Sequence, residues 1–158
     1  MSELLEKARS YEAKKIAATD KESKPLFHIS APAGWINDPN GFSVYNGKIH
    51  LFYQYYPYLR EWGPMHWGHS TTSDMIKWEQ LPCVLAPDEE YDKKGCFSGS
   101  AIEADGKHVL VYTGVTRIKL PDGSEQERQN QCIAFGDGLN YAVSYTHLRA
   151  HETLANLV

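Results

Sequence analysis

The sequence predicts an all-β fold of partial β-propeller type, preceded by one helix. Three observations carry this reading. Short runs of β-branched and aromatic residues fold back at Asn46-Gly47 and again at Asp105-Gly106, pairs that suit the type I′ turn of a two-residue hairpin. The two hairpins stand 59 residues apart and resemble one another, Gly47, Lys48, Leu51 and Tyr53 matching Gly106, Lys107, Leu110 and Tyr112. Helical spacing of apolar residues is confined to the first twenty positions.

Taken in order, residues 2–20 read as an amphipathic lead-in. Leu4, Leu5, Ala8, Tyr11 and Ile16 recur at helical spacing among Glu, Lys and Arg, and Ser2 is available as an N-cap. From Pro25 the chain breaks into short segments divided by Gly, Pro, Asn and Asp. Gly41–Tyr45 and Lys48–Tyr53 form the first hairpin. Met65–Asp74 and Lys77–Val84 supply two more strands around a turn at 73–77. Ser100–Ala104 and Lys107–Tyr112 form the second hairpin, followed by a strand at Gln131–Phe135 and a turn at Asp137–Tyr141. The charged stretch from Asp122 to Arg128 reads as a solvated hairpin tip. About four strands per repeat is the make-up of a propeller blade. The expected divisions are a helical lead-in at 1–22, a propeller portion at 25–141 and an unmatched tail at 142–158 that reads as foreign or artefactual.

Composition narrows the function. The 158 residues are 42% hydrophobic and 23% charged, the range of an ordinary globular chain. Sixteen Lys and Arg against 20 Asp and Glu, with no long basic run, argue against nucleic acid as a partner. No stretch approaches the ~18 apolar residues of a membrane span, and the first residues lack the pattern of a secretion signal, so a cytoplasmic location is expected. Cys83, Cys96 and Cys132 are odd in number and widely spaced, which fits buried thiols better than disulfides or zinc. His147, His151 and Glu152 lack the H-E-x-x-H order, so no metal and no cofactor is expected. The 4 Trp, 10 Tyr and 5 Phe, many crowded between Trp35 and Trp78 beside Asn, Gln and His, suit either an aromatic β core or a sugar, whose faces are apolar and whose edges are hydroxyls.

Under the 59-residue offset, Asp38 falls opposite Phe97, and Trp35–Gly41 and Cys96–Ser100 each lead into the first strand of a unit. That strand lines a propeller's axis, so both segments would face one pocket. Taken alone, Asn-Asp-Pro-Asn-Gly also reads as a turn. Four segments together, Trp-Ile-Asn-Asp-Pro-Asn-Gly at 35–41, Phe-Tyr-Gln at 52–54, Trp-Gly-Pro-Met-His-Trp-Gly-His at 62–69 and Phe-Ser-Gly-Ser-Ala at 97–101, resemble glycoside hydrolase family 32. The likeness runs from about Phe27 to about Gln131.

The resemblance implies the first blade and part of the second of a five-bladed propeller, and a retaining hydrolase acting on terminal β-fructofuranosyl bonds of sucrose, sucrose 6-phosphate or a fructan. It puts Asp38 in the place of the nucleophile. Trp35, Ile36, Asn37, Gln54, Trp62, Phe97 and Ser98 take the places of residues that line or hydrogen-bond the fructosyl site, and Trp67 fits either that pocket or the core. The family's acid/base and transition-state-binding carboxylates lie in Glu-Cys-Pro and Arg-Asp-Pro motifs, neither of which occurs in these 158 residues. Turnover by this chain alone is therefore not expected. Glu89, Glu90 and Glu103 are the nearest acids, none in the right motif. A non-catalytic sugar-binding or propeller-like interaction module is the alternative.

Overall fold

The computed structural model describes residues 2–20, 22, 24, 25 and 27–149. Among them, α1 (Glu3–Ala18) precedes two four-stranded antiparallel sheets. The first contains β1 (Trp35–Tyr45), β2 (Lys48–Tyr56), β3 (His66–Thr72) and β4 (Glu79–Leu85) in sequential order. The second repeats that order with β5 (Gly95–Ala104), β6 (Lys107–Lys119), β7 (Glu125–Gly136) and β8 (Tyr141–Arg149). These meanders are propeller blades, and β1 packs against β5. The last strand runs past residue 141, so the second sheet also reaches four strands. Residues 150–158, including His151 and Glu152, lie outside the described residues.

Both hairpin turns take the conformation that their sequences demand. Asn46 and Gly47 have φ of 48° and 71°, and Asp105 and Gly106 have 50° and 70°, so both central residues of each turn are left-handed. The 73–77 turn is held differently: Asp74 accepts the backbone N–H groups of Ile76 and Lys77 at 2.9 and 2.8 Å. The charged stretch expected as a hairpin tip is mostly strand, since β7 starts at Glu125 and pairs with Lys119. Glu125–Gln129, at the start of β7, are all exposed and lie beyond the recorded pairing with β8, so alternation with apolar residues is not required there.

The helix begins where expected, Ser2 accepting the Leu5 N–H at 3.2 Å. Its buried face is Leu5, Ala8 and Glu12, whereas Leu4 and Ile16 are exposed, against the expected stripe. Leu5 and Ala8 pack with Tyr53, Tyr55, Cys83 and Ala86. Arg9 ties the sheets together, donating to Cys83 O at 2.8 Å and to Leu139 O and Asn140 Oδ1 at 2.9 Å.

Between the sheets lies the main core, built on Phe52, Trp67, Leu85, Cys96, Leu110 and Tyr112. All three cysteines are buried thiols. Toward the hairpin end of β1 the joint turns polar. His108 sits between Ser43 Oγ at 2.9 Å and Tyr141 OH at 2.7 Å, and its ring stacks on Tyr45 at 4.7 Å. The Ser43 hydroxyl donates to Gly41 O, which leaves His108 Nε2 as donor to Ser43 and Nδ1 as acceptor from Tyr141. On the flank of β1, Phe42 and Val44 stand exposed at 57% and 61%, an uncovered apolar pair.

Candidate active site

Two β-bulges make the site. In β1, Ile36 pairs with Tyr55 and Pro39 with Tyr53, so Asn37 and Asp38 together oppose Gln54. In β5, Phe97 pairs with Thr113 and Gly99 with Tyr112, leaving Ser98 as the extra residue. Each bulge interrupts the period of two and turns a polar side chain outward. A strand with a proline at its centre is tolerated because β1 is an edge strand.

A further bulge distinguishes the two blades. Between Asn40/Phe52 and Ser43/His50, β1 holds one residue more than β5 does at the matching place. The hairpin offset of 59 therefore becomes 60 at the site, and Asp38 corresponds to Ser98 rather than to Phe97. At the extra residue Gly41 has φ of +52°, and a Cβ there would lie 2.7 Å from the Phe52 ring and 3.1 Å from the Ala101 methyl. In β5, Gly99 follows the extra residue Ser98, and a Cβ there would meet Val111 O at 2.0 Å.

Asp38 and Ser98 meet across the blades. Both are exposed, and the Ser98 hydroxyl donates to Asp38 Oδ2 at 3.4 Å, the long end of a hydrogen bond. Asn37 is exposed and accepts the Trp35 indole N–H at 2.8 Å. Trp62, 52% exposed, stands edge-on to Phe97 with ring centroids 6.2 Å apart. An ionisable carboxylate, amide and hydroxyl groups and two open aromatic surfaces are thus gathered at one end of the inner strands, the arrangement that a sugar ring calls for.

Two residues differ from their expected surroundings, and Trp67 takes one of the two places open to it. Ile36 turns into the cluster under α1, because it shares a strand face with Tyr55. Gln54 is buried, and its amide donates to Cys96 O at 3.0 Å. Trp67 belongs to the core: it is fully buried between Phe52 and Tyr112, with its indole N–H on Phe97 O at 3.1 Å.

The acids named from the sequence stay apart from Asp38. Glu103 is five residues beyond Ser98 along β5, about 16 Å at strand rise, against the ~5–5.5 Å needed between a retaining pair. Glu89 and Glu90 are exposed on the turn before β5, where Glu90 pairs with Lys93. Among the described residues no His, Cys, Asp and Glu set is arranged to hold a metal, and no helix is long and apolar enough to cross a membrane.

Comparison with known proteins places this chain in a family. Residues 28–154 match the model for the glycosyl hydrolases family 32 N-terminal domain. The chain is 48% identical over 118 residues to a sucrose-6-phosphate hydrolase of Escherichia coli, covering 74% of this chain and 25% of that protein. It is 48% identical over 136 residues to a levanase of Bacillus subtilis, covering 85% and 20%. Among solved structures, a mutant of the Bombyx mori GH32 beta-fructofuranosidase in complex with sucrose superimposes with a TM-score of 0.76 and 44% identity, over 88% of this chain and 29% of that one. The chain therefore belongs to glycosyl hydrolases family 32. It spans about a quarter of the length of the curated relatives it matches.

Proposed function

We propose that this chain supplies the nucleophile half of a retaining β-fructofuranosidase acting on sucrose or sucrose 6-phosphate. The observation that carries the reading is the meeting of the two bulges, which sets the exposed Asp38 carboxylate beside Ser98, next in the chain to Phe97, whose ring meets Trp62. An Asp38 oxygen attacks the anomeric carbon of the fructosyl unit while the bond to the leaving oxygen breaks, and a second carboxyl gives that oxygen its proton. Water then opens the fructosyl ester, surrendering a proton to the same second carboxyl and returning Asp38 to its anionic form. That second carboxyl is assigned to no residue of this chain, since Glu103 is too far along β5 and neither Glu89 nor Glu90 stands in a Glu-Cys-Pro motif. The sequence similarity to the Escherichia coli hydrolase supports the phosphorylated sugar, the Bombyx mori complex supports sucrose, and a cytoplasmic site of action goes with the former.

The test is Asp38→Asn in the full-length enzyme that carries this segment. The change should lower hydrolysis of both sugars by about a thousandfold or more, because the amide is a far weaker nucleophile of nearly the same shape. Sugar binding without turnover in both forms would favour a non-catalytic binding module instead. Full activity in the variant would remove Asp38 from the reaction.

A further inference from the structure

The first three residues of β5 pair with β6 of their own blade and are fastened to the first blade as well. Cys96 N–H donates to Met65 O at 2.8 Å, Gln54 Nε2 donates to Cys96 O at 3.0 Å, and Trp67 Nε1 donates to Phe97 O at 3.1 Å. The next residue is Ser98, the bulged one. The Phe97 carbonyl and the Ser98 N–H belong to a single planar peptide unit, so whatever fixes that carbonyl fixes the plane from which the Ser98 side chain departs. Strand pairing cannot do this at a bulge, because the extra residue has no partner on β6.

We propose that Trp67 is a positioning residue for the reaction: by holding the Phe97 carbonyl, its indole N–H aims the Ser98 hydroxyl at Asp38. The inference rests on the reading of Asp38 as nucleophile and extends it to a fully buried side chain that touches no substrate. A tryptophan is needed for this because phenylalanine fills comparable space without a donor. The bond joins the two blades across the site, so the relative placement of the Asp38 and Ser98 bulges depends on it.

The experiment is a double-mutant cycle in the full-length enzyme, with Trp67→Phe, Ser98→Ala and their combination, reading kcat and KM for sucrose. Losing one hydrogen bond that acts through geometry should lower kcat about fivefold in each single variant with KM changed less than twofold. The double variant should match Ser98→Ala alone, because an aimed hydroxyl that is absent cannot be misaimed. A merely structural role for Trp67 gives additive losses, and additive losses overturn the proposal, as does full activity in Trp67→Phe. Should Trp67→Phe fail to fold, β-(3-benzothienyl)alanine at position 67 keeps the bicyclic shape and removes only the N–H, with the same outcomes expected. Asp38→Asn is assayed alongside. An active Asp38→Asn refutes the functional reading itself, whereas an inactive one with an additive cycle refutes only the role of Trp67.

Discussion

Glu12 gives the protein a stability that falls as pH rises. Its carboxyl is 3% exposed beneath α1, and burial raises its pKa from 4.5 to about 7, offset in part by the Cys83 N–H, the Tyr55 hydroxyl and Arg9. The native state thus holds this proton more tightly than the unfolded chain. Stability is greatest below the unfolded value and declines as pH climbs from 4.5 through about 7. At about 1.4 kcal/mol per pH unit this amounts to about 3 kcal/mol, most of which falls between pH 5 and pH 8. Glu12→Gln keeps an acceptor for the Cys83 N–H, now at 3.0 Å, and abolishes the titration. Urea titrations of the two proteins across that pH range isolate the effect, since titrations elsewhere cancel in the difference. The wild type should lose about 2 to 3 kcal/mol relative to Glu12→Gln on going from pH 5 to pH 8. Parallel pH curves for the two would refute the argument, because they would mean that the carboxyl is already ionised, or solvated, in the folded state.

Two further outcomes follow from the joint between the blades. Gly41→Ala puts a methyl 2.7 Å from the Phe52 ring at a φ of +52°, and should cost about 2 kcal/mol in urea unfolding, a loss that an unchanged midpoint would contradict. Burial, and then the charge of His50, hold His108 down to about 4, so its neutral form favours the folded state at pH above 6.5 and that advantage is lost as pH falls toward 4. His108→Phe should move the acid-unfolding midpoint to lower pH while costing about 2 kcal/mol at pH 7, where Ser43 and Tyr141 lose their partner. An acid midpoint that does not move would show that His108 is not what the falling pH acts on.

Legibility in the sequence varied with the physics of each element. Asn46-Gly47 and Asp105-Gly106 announce their hairpins because few other pairs accept two successive left-handed residues. Bulges carry no such mark, so Asp38-Pro39-Asn40 reads as a turn although it lies inside β1, and a constant offset set Asp38 against Phe97 instead of Ser98. The site residues were found through motif resemblance, and that route cannot tell a ligand-facing side chain from one turned inward. Ile36 therefore shares a motif with Asp38, and Gln54 closes the Phe-Tyr-Gln motif, while both side chains pack elsewhere. The polar joint at His108 and the buried Glu12 were missed altogether, because hydrophobic patterning assigns such residues to the surface. The signal that would have found Glu12 is its spacing of four from Ala8 on the Leu5 face of the helix.

Two of the three hydrogen bonds of Arg9 join the ninth residue of the chain to residues 130 and 131 positions further along. During synthesis the helix leaves the ribosome long before its second anchor exists, and its guanidinium can close the circuit only when the loop after β7 has emerged. The beginning of this polypeptide is thus completed by its later part, and shortening the chain from either side would undo the same fastening.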